Sequence, residues 1–556
     1  MKKVLTVLLV LAVMFSVFAA GAKEETKTQT TNEQKVQNQT AAKQYDTYDI
    51  VPTEANIVRG GKLTIGTLND VASMGPWKFR GEYALLGGIY EPLLVVTDSG
   101  DTEPFLLEKF ESDPDKLTYT LTLKKGITFS DGSPLDADAM IWNFENFWKN
   151  GSSAATHFSS VDHFEKIDDY TVVMHLKEWN SQIPFSMNDV PGLMYSKKAF
   201  DDHGYDWCLK NPVGTGPYIM DSYVKDQSIH FVPNPTYWNK EAEPPLYDEV
   251  EVIVYGDAQS AQAAMYTGDL DVFLGGDYGM KDQMVAQGYK LYQNKMWSRV
   301  YFLLFTSAIE GSPFTDVRVR QAVCYAIDSD AIIKALDYGR TYYSNQYAVE
   351  GTGFYNPNVK GYEYNPEKAK ALLKEAGYGD GFKTKMVVGI DQRLERYMVA
   401  VQSYLAAVGI DVELVYLDNA AWQSTAGIYG DGVSSEILLC GHGYGANLAN
   451  QALSNFSQRA TLPGSVGMLH NNKIHPDDLN DAIMGAVGAK SKDEMYKYMQ
   501  EVQYLLIDKY CIAYPLLNAY YTQIITQPDI VDAGWCNSFN RTHDWNRLYR
   551  VDLSKV

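Results

Sequence analysis

The sequence has 556 residues, a hydrophobic fraction of 46% and a formal net charge of −21. This length predicts two or three compact lobes with sizeable cores. The acidic balance argues against nucleic acid and anionic membrane surfaces as partners, because both repel a negatively charged surface. Solubility is the simplest role for the charge.

The first 22 residues have the pattern of a secretory signal peptide. Lys2 and Lys3 precede an uncharged apolar run, which ends in small residues with a cleavage site at Ala20-x-Ala22. The run is too short to span a bilayer well, so a retained membrane anchor is the less favoured alternative. No cysteine lies near the cleavage site. We therefore expect a periplasmic or secreted protein without a lipoprotein cysteine.

Residues 23–54 are rich in Lys, Glu, Gln, Thr and Asn. Such a segment buries too little apolar surface to offset the entropy of ordering, so we predict a disordered leader before the globular part begins near Ile57. The five cysteines are scattered and have no metal-binding spacing. They are typical of buried thiols, with room for one disulfide, and the sequence identifies no pair.

The first predicted elements are strands followed by a long helix. Residues 60–67 and 117–123 alternate apolar and polar side chains, as half-buried strands do. A helix is predicted to follow, with Ser133 as its N-cap, Pro134 at the first helical position and Asp136 favourable to the helix dipole.

A tight turn leading into a hairpin is predicted at residues 211–218, which read N-P-V-G-T-G-P-Y. Proline fixes φ and glycine permits positive φ, so this stretch cannot lie inside a helix. Apolar residues at 218–220 and 229–233 form the two strands, and N-P-T-Y-W closes the unit.

The apolar run at residues 300–306 predicts a fully buried strand. The helix that follows, within residues 313–328, carries Arg318 and Arg320 beside an apolar face. Arginine is the preferred bidentate partner of a carboxylate, but the helical spacing favours pairing with local acids over ligand binding.

The last third predicts an α/β lobe. Asn365 caps a helix that Pro366 opens and Gly377 ends. Strands at 385–390 and 412–417 flank another helix, which makes a βαβ unit.

Four of these stretches resemble signatures of the family 5 solute-binding proteins, the peptide, nickel and oligosaccharide receptors of ABC importers. They are the P-V-G-T-G-P-Y turn with its N-x-x-Y-W closure, the L-x-x-G-x-x-F-x-D-G-x-P helix start, the D-x-R-V-R-Q-A helix and the N-P-E-K-A helix. The resemblance implies an α/β, two-lobed periplasmic-binding-protein fold of class II, of the large kind, with a small subdomain inserted in the first lobe.

The resemblance also implies a domain order, in which residues 300–306 cross from the first lobe to the second. The expected segments are a signal peptide (1–22), a leader (23–54), lobe I (55–97), an inserted subdomain (98–208), lobe I continued (209–298), lobe II (299–514) and a return to lobe I (515–556). Two crossings between lobes imply a hinge and a closing cleft.

Ligand-binding candidates follow from their positions near the expected cleft. The loop after the first strand borders the cleft in the family, and the other candidates lie near the crossing strand or in a divergent loop at 437–450. The candidates are Trp77, Tyr83, Trp297, Tyr301, Trp422, His442, Tyr444 and Asn447.

The divergent loop separates this chain from peptide-binding members of the family. Those members have a stretch like W-x-G-D-x-x-D-P, in which an Asp pairs with the peptide ammonium group. Here Tyr444 and Asn447 stand where those acids would align. An ammonium entering a dry cleft needs a charge partner, so a free peptide amino terminus is less secure as the ligand.

The predicted function is a receptor that captures a short linear solute and delivers it to a membrane ABC permease. We expect a monomer with no cofactor, no catalytic residues, no metal site and no nucleic-acid partner. An oligopeptide is the first ligand by family frequency. An oligosaccharide is the alternative, since 40 Tyr and 10 Trp offer stacking surfaces, and a nickel chelate comes third.

A secreted glycoside hydrolase is the alternative from another class, because paired carboxylates brought together by folding leave no sequence trace. The familiar metal, nucleophile and phosphate motifs do not occur in the chain.

Overall fold

The computed structural model describes residues 50–556 apart from short gaps. The gaps are 79–81, 98–100, 152–157, 294–297, 338–339, 390–391, 418–420, 423–436, 445–447, 459–471, 521–522 and 537–543. The predicted signal peptide and almost all of the predicted leader lie outside the described residues.

The strands are numbered in chain order. They are β1 (Ile57–Val58), β2 (Lys62–Thr67), β3 (Leu94–Val96), β4 (Thr102–Pro104), β5 (Leu107–Asp113), β6 (Thr118–Leu123), β7 (Val161–Lys166), β8 (Thr171–Leu176), β9 (Tyr218–Val224), β10 (Ser228–Pro233), β11 (Glu249–Val254), β12 (Val272–Phe273), β13 (Lys290–Gln293), β14 (Ser298–Phe305), β15 (Phe382–Gly389), β16 (Ile410–Leu417), β17 (Ile437–Tyr444), β18 (Ala513–Tyr520), β19 (Gln523–Thr526), β20 (Ile530–Asp532) and β21 (Leu548–Val551).

The α-helices are numbered in the same way. They are α1 (Ala137–Asn150), α2 (Ile183–Ser186), α3 (Lys197–His203), α4 (Tyr205–Cys208), α5 (Ala258–Thr267), α6 (Tyr278–Ala286), α7 (Val317–Ala326), α8 (Ser329–Leu336), α9 (Pro366–Glu375), α10 (Gln392–Ala406), α11 (Leu448–Phe456), α12 (Asp477–Val487) and α13 (Lys492–Tyr504).

The first lobe is built on a mixed sheet with the strand order β13-β19-β12-β2-β11-β10-β9. The predicted hairpin is confirmed, because β9 and β10 pair antiparallel. Strand β2 lies at the centre, parallel to both β11 and β12. Its Leu63 and Ile65 are fully buried, which explains the alternating pattern in the sequence.

A second sheet in the first half of the chain has the order β5-β6-β8-β7 and lies within the residues expected to form the inserted subdomain. Its apolar residues belong to the same core cluster as those of the seven-stranded sheet. This part of the chain therefore packs directly on the first lobe and shares its core.

The start of helix α1 corrects the predicted cap. Asp136, and not Ser133, is the N-cap residue, and its side chain accepts from the backbone N–H of Ala139. Ser133 instead belongs to a tight turn, where its hydroxyl donates to Asp131 and its carbonyl accepts from Phe129. The turn occupies residues that local propensity alone would allow to be helical.

The second lobe contains a five-stranded sheet with the order β16-β15-β17-β14-β18. The predicted βαβ unit is confirmed, since β15 and β16 are parallel and α10 connects them. The predicted helix cap at Asn365 is also confirmed, because its side chain accepts from the N–H of Lys368. Strand β14 is buried between β17 and β18, antiparallel to both.

The expected return to the first lobe at residue 515 is wrong. Strand β18 pairs along its length with β14 in the second-lobe sheet, and the chain joins the first-lobe sheet only at β19. Pro515 lies within the strand, which accommodates it because the register with β14 shifts beside it.

The two arginines of helix α7 differ in their partners. Arg318 pairs with Asp316, as predicted. Arg320 is 2% exposed and donates to the backbone carbonyls of Phe314, Thr315, Tyr510 and Cys511. The prediction of a local acid partner for Arg320 is wrong, since this guanidinium ties α7 to the residues before β18.

Among the described helices, none combines the length and the apolar character that crossing a membrane requires.

Candidate functional site

Two connections join the lobes, and they link neighbouring strands on both sides. In the first lobe Gln293 of β13 pairs with Gln523 of β19, and in the second lobe Ser298 of β14 pairs with Tyr520 of β18. The connecting residues, 294–297 and 521–522, lie outside the described residues. Two neighbouring connections between lobes form a natural hinge, so the region where the lobes face each other is the candidate ligand site.

Polar side chains of the first lobe bond to one another close to these connections, and an ion pair joins the lobes there. The side-chain amide of Gln523 donates to that of Gln293 at 3.2 Å and accepts from the ammonium of Lys281 at 3.0 Å. Asp282, on the same helix α6, forms an ion pair with the nearly buried Arg340 of the second lobe. Helix α6 of the first lobe is thus held against the second lobe beside the hinge.

A second contact between the lobes involves the segment after β8 and the turn between helices α12 and α13. The indole N–H of Trp179 donates to the carbonyl of Ala489 at 2.9 Å. The backbone N–H of Ser181 donates to the carbonyl of Val487 at 2.8 Å, and its hydroxyl donates to that of Ala486. We call these residues, 179–181 and 486–489, the clasp.

Two exposed ion pairs flank the clasp. Lys490 lies 2.7 Å from Asp115, and Lys492 lies 2.5 Å from Asp101. Exposed pairs contribute little stability and are screened by salt, so the partly buried bonds of Trp179 and Ser181 carry most of the contact.

The most unusual polar group near the hinge is the side chain of Asn518. It is fully buried, and neither its amide nitrogen nor its amide oxygen has a hydrogen-bond partner. The residue lies on β18 in register with Val300 of β14, which is in register with His442 of β17. Val300 and Asn518 each lie two residues from the end of their strand, Ser298 in β14 and Tyr520 in β18, and the chain crosses between the lobes just beyond these ends.

An unpaired buried amide is expensive. Leaving one such group without a partner costs on the order of 1–3 kcal/mol, and natural structures rarely tolerate it without a reason. The backbone of Asn518 is satisfied, because its N–H and carbonyl both pair with Tyr342. Only the side chain of Asn518 is left without a hydrogen-bond partner.

Trp422 is a second side chain with an unused donor. Its indole nitrogen is buried and has no hydrogen-bond partner. Its ring lies beside Gly389 at the end of β15, 3.5 Å from the position that a Cβ on this glycine would take. The ring is therefore in ordinary van der Waals contact range of this strand end.

Trp77, predicted as a cleft residue, lies inside the first lobe. It is 3% exposed and makes edge-to-face contacts with Tyr195 and Phe200 at ring-centroid distances of 5.2 and 6.0 Å. Its environment explains it as a core residue, because an aromatic cluster of this kind already uses both the face and the edge of the ring.

Tyr301 is also buried, at 4% exposure, in the core of the second lobe. The backbones of His442 and Tyr444 lie on β17, and that of Tyr83 lies in a short 3₁₀ turn at Glu82–Leu85, but their side chains are outside the described part. Trp297 and Asn447 are wholly outside the described residues. Their assignment to the ligand site stays a prediction.

The P-V-G-T-G-P-Y and N-P-T-Y-W stretches have a structural role around Glu91. This carboxylate is 6% exposed and accepts from the hydroxyls of Thr215 and Tyr237 at 2.8 Å and from the indole of Trp238 at 2.9 Å. Burial raises the pKa of Glu91 to about 7, although the three donors lower it in part. The motif thus holds a buried acid and lies in the core of the first lobe.

Sequence reasoning missed Asn518 and the clasp. Asn518 lies within the apolar strand β18 and could have been noticed as a polar residue in a buried run. Nothing in the sequence signals that Trp179 meets Ala489, because the two residues are 310 positions apart.

The comparisons with known proteins agree with this architecture. Residues 101–435, more than half of the chain, match the model of the bacterial extracellular solute-binding proteins, family 5. The chain belongs to this family.

Curated relatives in the family bind different ligands. The chain is 27% identical over 436 residues to heme-binding protein A of Haemophilus influenzae, covering 73% of this chain and 77% of that protein. It is 25% identical over 434 residues to the glutathione-binding protein GsiB of Salmonella paratyphi A, covering 75% of this chain and 82% of that protein.

Solved structures have the same fold. The periplasmic binding protein DppA of Helicobacter pylori, in complex with the peptide STSA, has a TM-score of 0.75 at 23% identity and covers 89% of this chain and 99% of that chain. NikA of Brucella suis, in complex with Fe(III)-EDTA, has a TM-score of 0.76 at 19% identity, with 88% and 99% covered.

This family 5 protein is therefore a solute-binding receptor of an ABC importer. Its class takes a small-molecule ligand outside the cytoplasm and passes it to a membrane permease, and its relatives are binding proteins rather than enzymes.

Proposed function

We propose that this receptor binds a short peptide between its two lobes and delivers it to the permease. The observation that carries the proposal is the buried carboxamide of Asn518, whose donor and acceptor are both unused. A peptide group presents one N–H and one C=O, so a single carboxamide can satisfy both. The site would select a neutral amide over an ion, because Asn518 carries no charge.

Relatives in the family support a peptide. The Helicobacter protein was solved with the peptide STSA, several Brucella relatives are named as putative peptide-binding proteins, and the Salmonella relative binds glutathione. We further propose that Trp422 and the cleft candidates Tyr83, Trp297, His442, Tyr444 and Asn447 surround the ligand. Tyr444 and Asn447 then replace the acid that other members use for the peptide ammonium group.

An oligosaccharide is the second candidate, and Trp422 favours it. An indole ring with a free N–H can stack on a sugar and donate to one of its hydroxyls. The missing acid also fits a neutral ligand. One experiment distinguishes a peptide ligand from an oligosaccharide ligand.

The experiment is a thermal-shift screen of the purified chain against short peptides and against α- and β-linked oligosaccharides. A selective ligand raises the melting temperature by mass action, by an amount that grows with its concentration. We expect peptides to stabilise the protein. Stabilisation by sugars alone would replace the peptide proposal, and turnover of an added sugar would overturn the receptor function.

The variant Asn518→Leu tests the observation itself. It removes the unpaired amide and keeps the branching and the number of heavy atoms of the side chain, so the free protein should be as stable as the wild type or more stable. Peptide affinity should fall at least tenfold, which corresponds to about 1.4 kcal/mol of lost hydrogen bonding. Isothermal titration calorimetry with the best peptide of the screen measures the change.

The matched control is Asn143→Leu in helix α1. The amide of Asn143 is buried like that of Asn518, but it donates to the carbonyls of Ala139 and Tyr195 and accepts from the N–H of Tyr195. This variant should lose stability and keep its peptide affinity. Equal affinities for the wild type and Asn518→Leu would contradict the proposed contact.

A further inference from the structure

Two cysteines that are 187 positions apart in the sequence meet in the core of the second lobe. The sulfur of Cys324 on helix α7 lies 3.4 Å from the sulfur of Cys511, which lies two residues before strand β18. Both residues are fully buried. The two sulfur atoms face each other with no other group between them.

We propose that Cys324 and Cys511 form a disulfide in the exported protein. The two S–H bonds break and one S–S bond forms. Two protons and two electrons pass to the disulfide of an extracytoplasmic thiol oxidoreductase, which leaves as a dithiol. The protein belongs to an extracellular family, and disulfides form and persist in that environment.

The surrounding structure holds the two cysteines together independently of the bond. Arg320 lies one turn before Cys324 on α7, and its guanidinium donates to the carbonyls of Tyr510 and Cys511 at 2.7 and 3.0 Å. Side chains four residues apart on a helix lie on the same face. The arginine therefore brings the backbone of Cys511 to the face of α7 that carries Cys324.

The backbone of Cys511 also supports a fixed position for its sulfur. Its φ is +46°, in the left-handed region that residues other than glycine rarely adopt. The neighbouring N–H of Ile512 donates to the carbonyl of Leu506 at 3.0 Å, which holds this conformation from the other side. A sulfur presented by a constrained backbone loses little further freedom when it bonds.

Folding and oxidation must take place together. Burial raises the pKa of the Cys324 thiol well above its usual range, so this thiol is protonated in the folded protein and is not a reactive thiolate. A thiol oxidoreductase cannot reach either sulfur once the core has closed. The bond forms while the second lobe is assembling, and it is then protected from exchange.

The proposed disulfide would join two segments of the second lobe that are far apart in the sequence. Cys324 lies on helix α7, which follows strand β14, and Cys511 lies two residues before strand β18. A bond between them closes a long loop and removes conformational freedom from the unfolded chain. It anchors the start of the strand that carries Asn518.

The first test uses the full chain, exported to an oxidising compartment, denatured in the presence of an alkylating reagent and digested without reductant. We expect one cross-linked peptide pair that contains Cys324 and Cys511, and alkylation at the remaining cysteines. Alkylation of all five cysteines, or a cross-link that joins a different pair, would overturn the proposal.

The second test unfolds the protein, refolds one sample in excess reductant and another in a mixture of reduced and oxidised glutathione, and compares the melting temperatures of the two samples. The wild type should melt several degrees lower when reduced. The variant C324A/C511A should melt at one temperature in both conditions. The control C208A/C536A removes two other buried cysteines and should keep the sensitivity of the wild type to reductant. A wild type that is insensitive to reductant contradicts the proposal.

Discussion

At the scale of single residues, Glu91 makes the stability of the first lobe depend on pH. Burial raises its pKa to about 7, from an ordinary value of 4.5. Between these values the folded protein binds a proton that the unfolded chain does not bind. The free energy of unfolding therefore falls as the pH rises from 4.5 to 7 and levels off above that.

The variant Glu91→Gln should remove this dependence. Each unit of pKa shift corresponds to about 1.4 kcal/mol, so the wild type should lose about 2–3 kcal/mol between pH 5 and pH 7.5 through this group. Glu91→Gln should be less stable than the wild type at pH 5, because its amide group faces three donors, and the difference should shrink at pH 7.5. Urea unfolding at the two pH values measures it.

The exposed residue Glu108 supplies the control, since Glu108→Gln makes the same charge change outside the core. It should leave the pH profile of the wild type intact. Asp544 lies near Glu91, and burial raises its pKa to about 6, so a smaller dependence of the same sign should remain in Glu91→Gln. A profile equal to that of the wild type would show that Glu91 is ionised throughout.

At the scale of elements, the P-V-G-T-G-P-Y turn depends on two glycines that pack against the chain before Glu91. A Cβ on Gly214 would overlap the carbonyl oxygen of Ile89, and one on Gly216 would overlap that of Gly88. Backbone carbonyls cannot move aside as a flexible side chain does. We expect Gly214→Ala to destabilise the protein by more than about 3 kcal/mol or to prevent its folding.

Gly256, after strand β11, offers the matched control. No atom lies within 4 Å of the position that its Cβ would take. Gly256→Ala should change the melting temperature by no more than a few degrees, and the yield of soluble protein should equal that of the wild type. Equal melting temperatures for the two variants would mean that the turn tolerates a shift of the backbone.

At the scale of the whole molecule, the clasp favours the arrangement in which the lobes touch. Trp179→Phe keeps an aromatic ring and removes the N–H that donates to Ala489. The loss of about 1 kcal/mol should shift the balance between closed and open forms about fivefold toward the open form. Small-angle X-ray scattering of the ligand-free protein should show a larger radius of gyration.

Trp142 provides the control for the clasp, because its ring packs on Phe200 within the first half of the chain. Trp142→Phe should leave the radius of gyration at the value of the wild type. In the wild type, a rise in ionic strength should open the molecule less than Trp179→Phe does, since salt screens only the exposed pairs of Lys490 and Lys492. A stronger response to salt than to the variant would give the ion pairs the main role.

Elements whose causes lie within a few residues could be predicted from the sequence. The β9–β10 hairpin, the cap at Asn365 and the βαβ unit of β15, α10 and β16 depend on turn residues, capping side chains and hydrophobic period, all of which are local. The start of helix α1 could not be predicted in this way, because Ser133 and Asp136 are both favourable N-cap residues. Ser133 lies in a turn that contacts with other parts of the chain stabilise. The strand that ends at Tyr520 was assigned to the wrong lobe for the same reason.

The sequence by itself determined the family, the α/β class and the two-lobed plan, since the signatures that encode them are turns and helix ends read along the chain. Only the tertiary structure decided which groups meet: the unpaired amide of Asn518, the sulfurs of Cys324 and Cys511, and the clasp between Trp179 and Ala489. Each depends on the packing of residues far apart in sequence. Whether a buried polar group is satisfied, or two thiols touch, is set by the positions of whole elements, which no local pattern records.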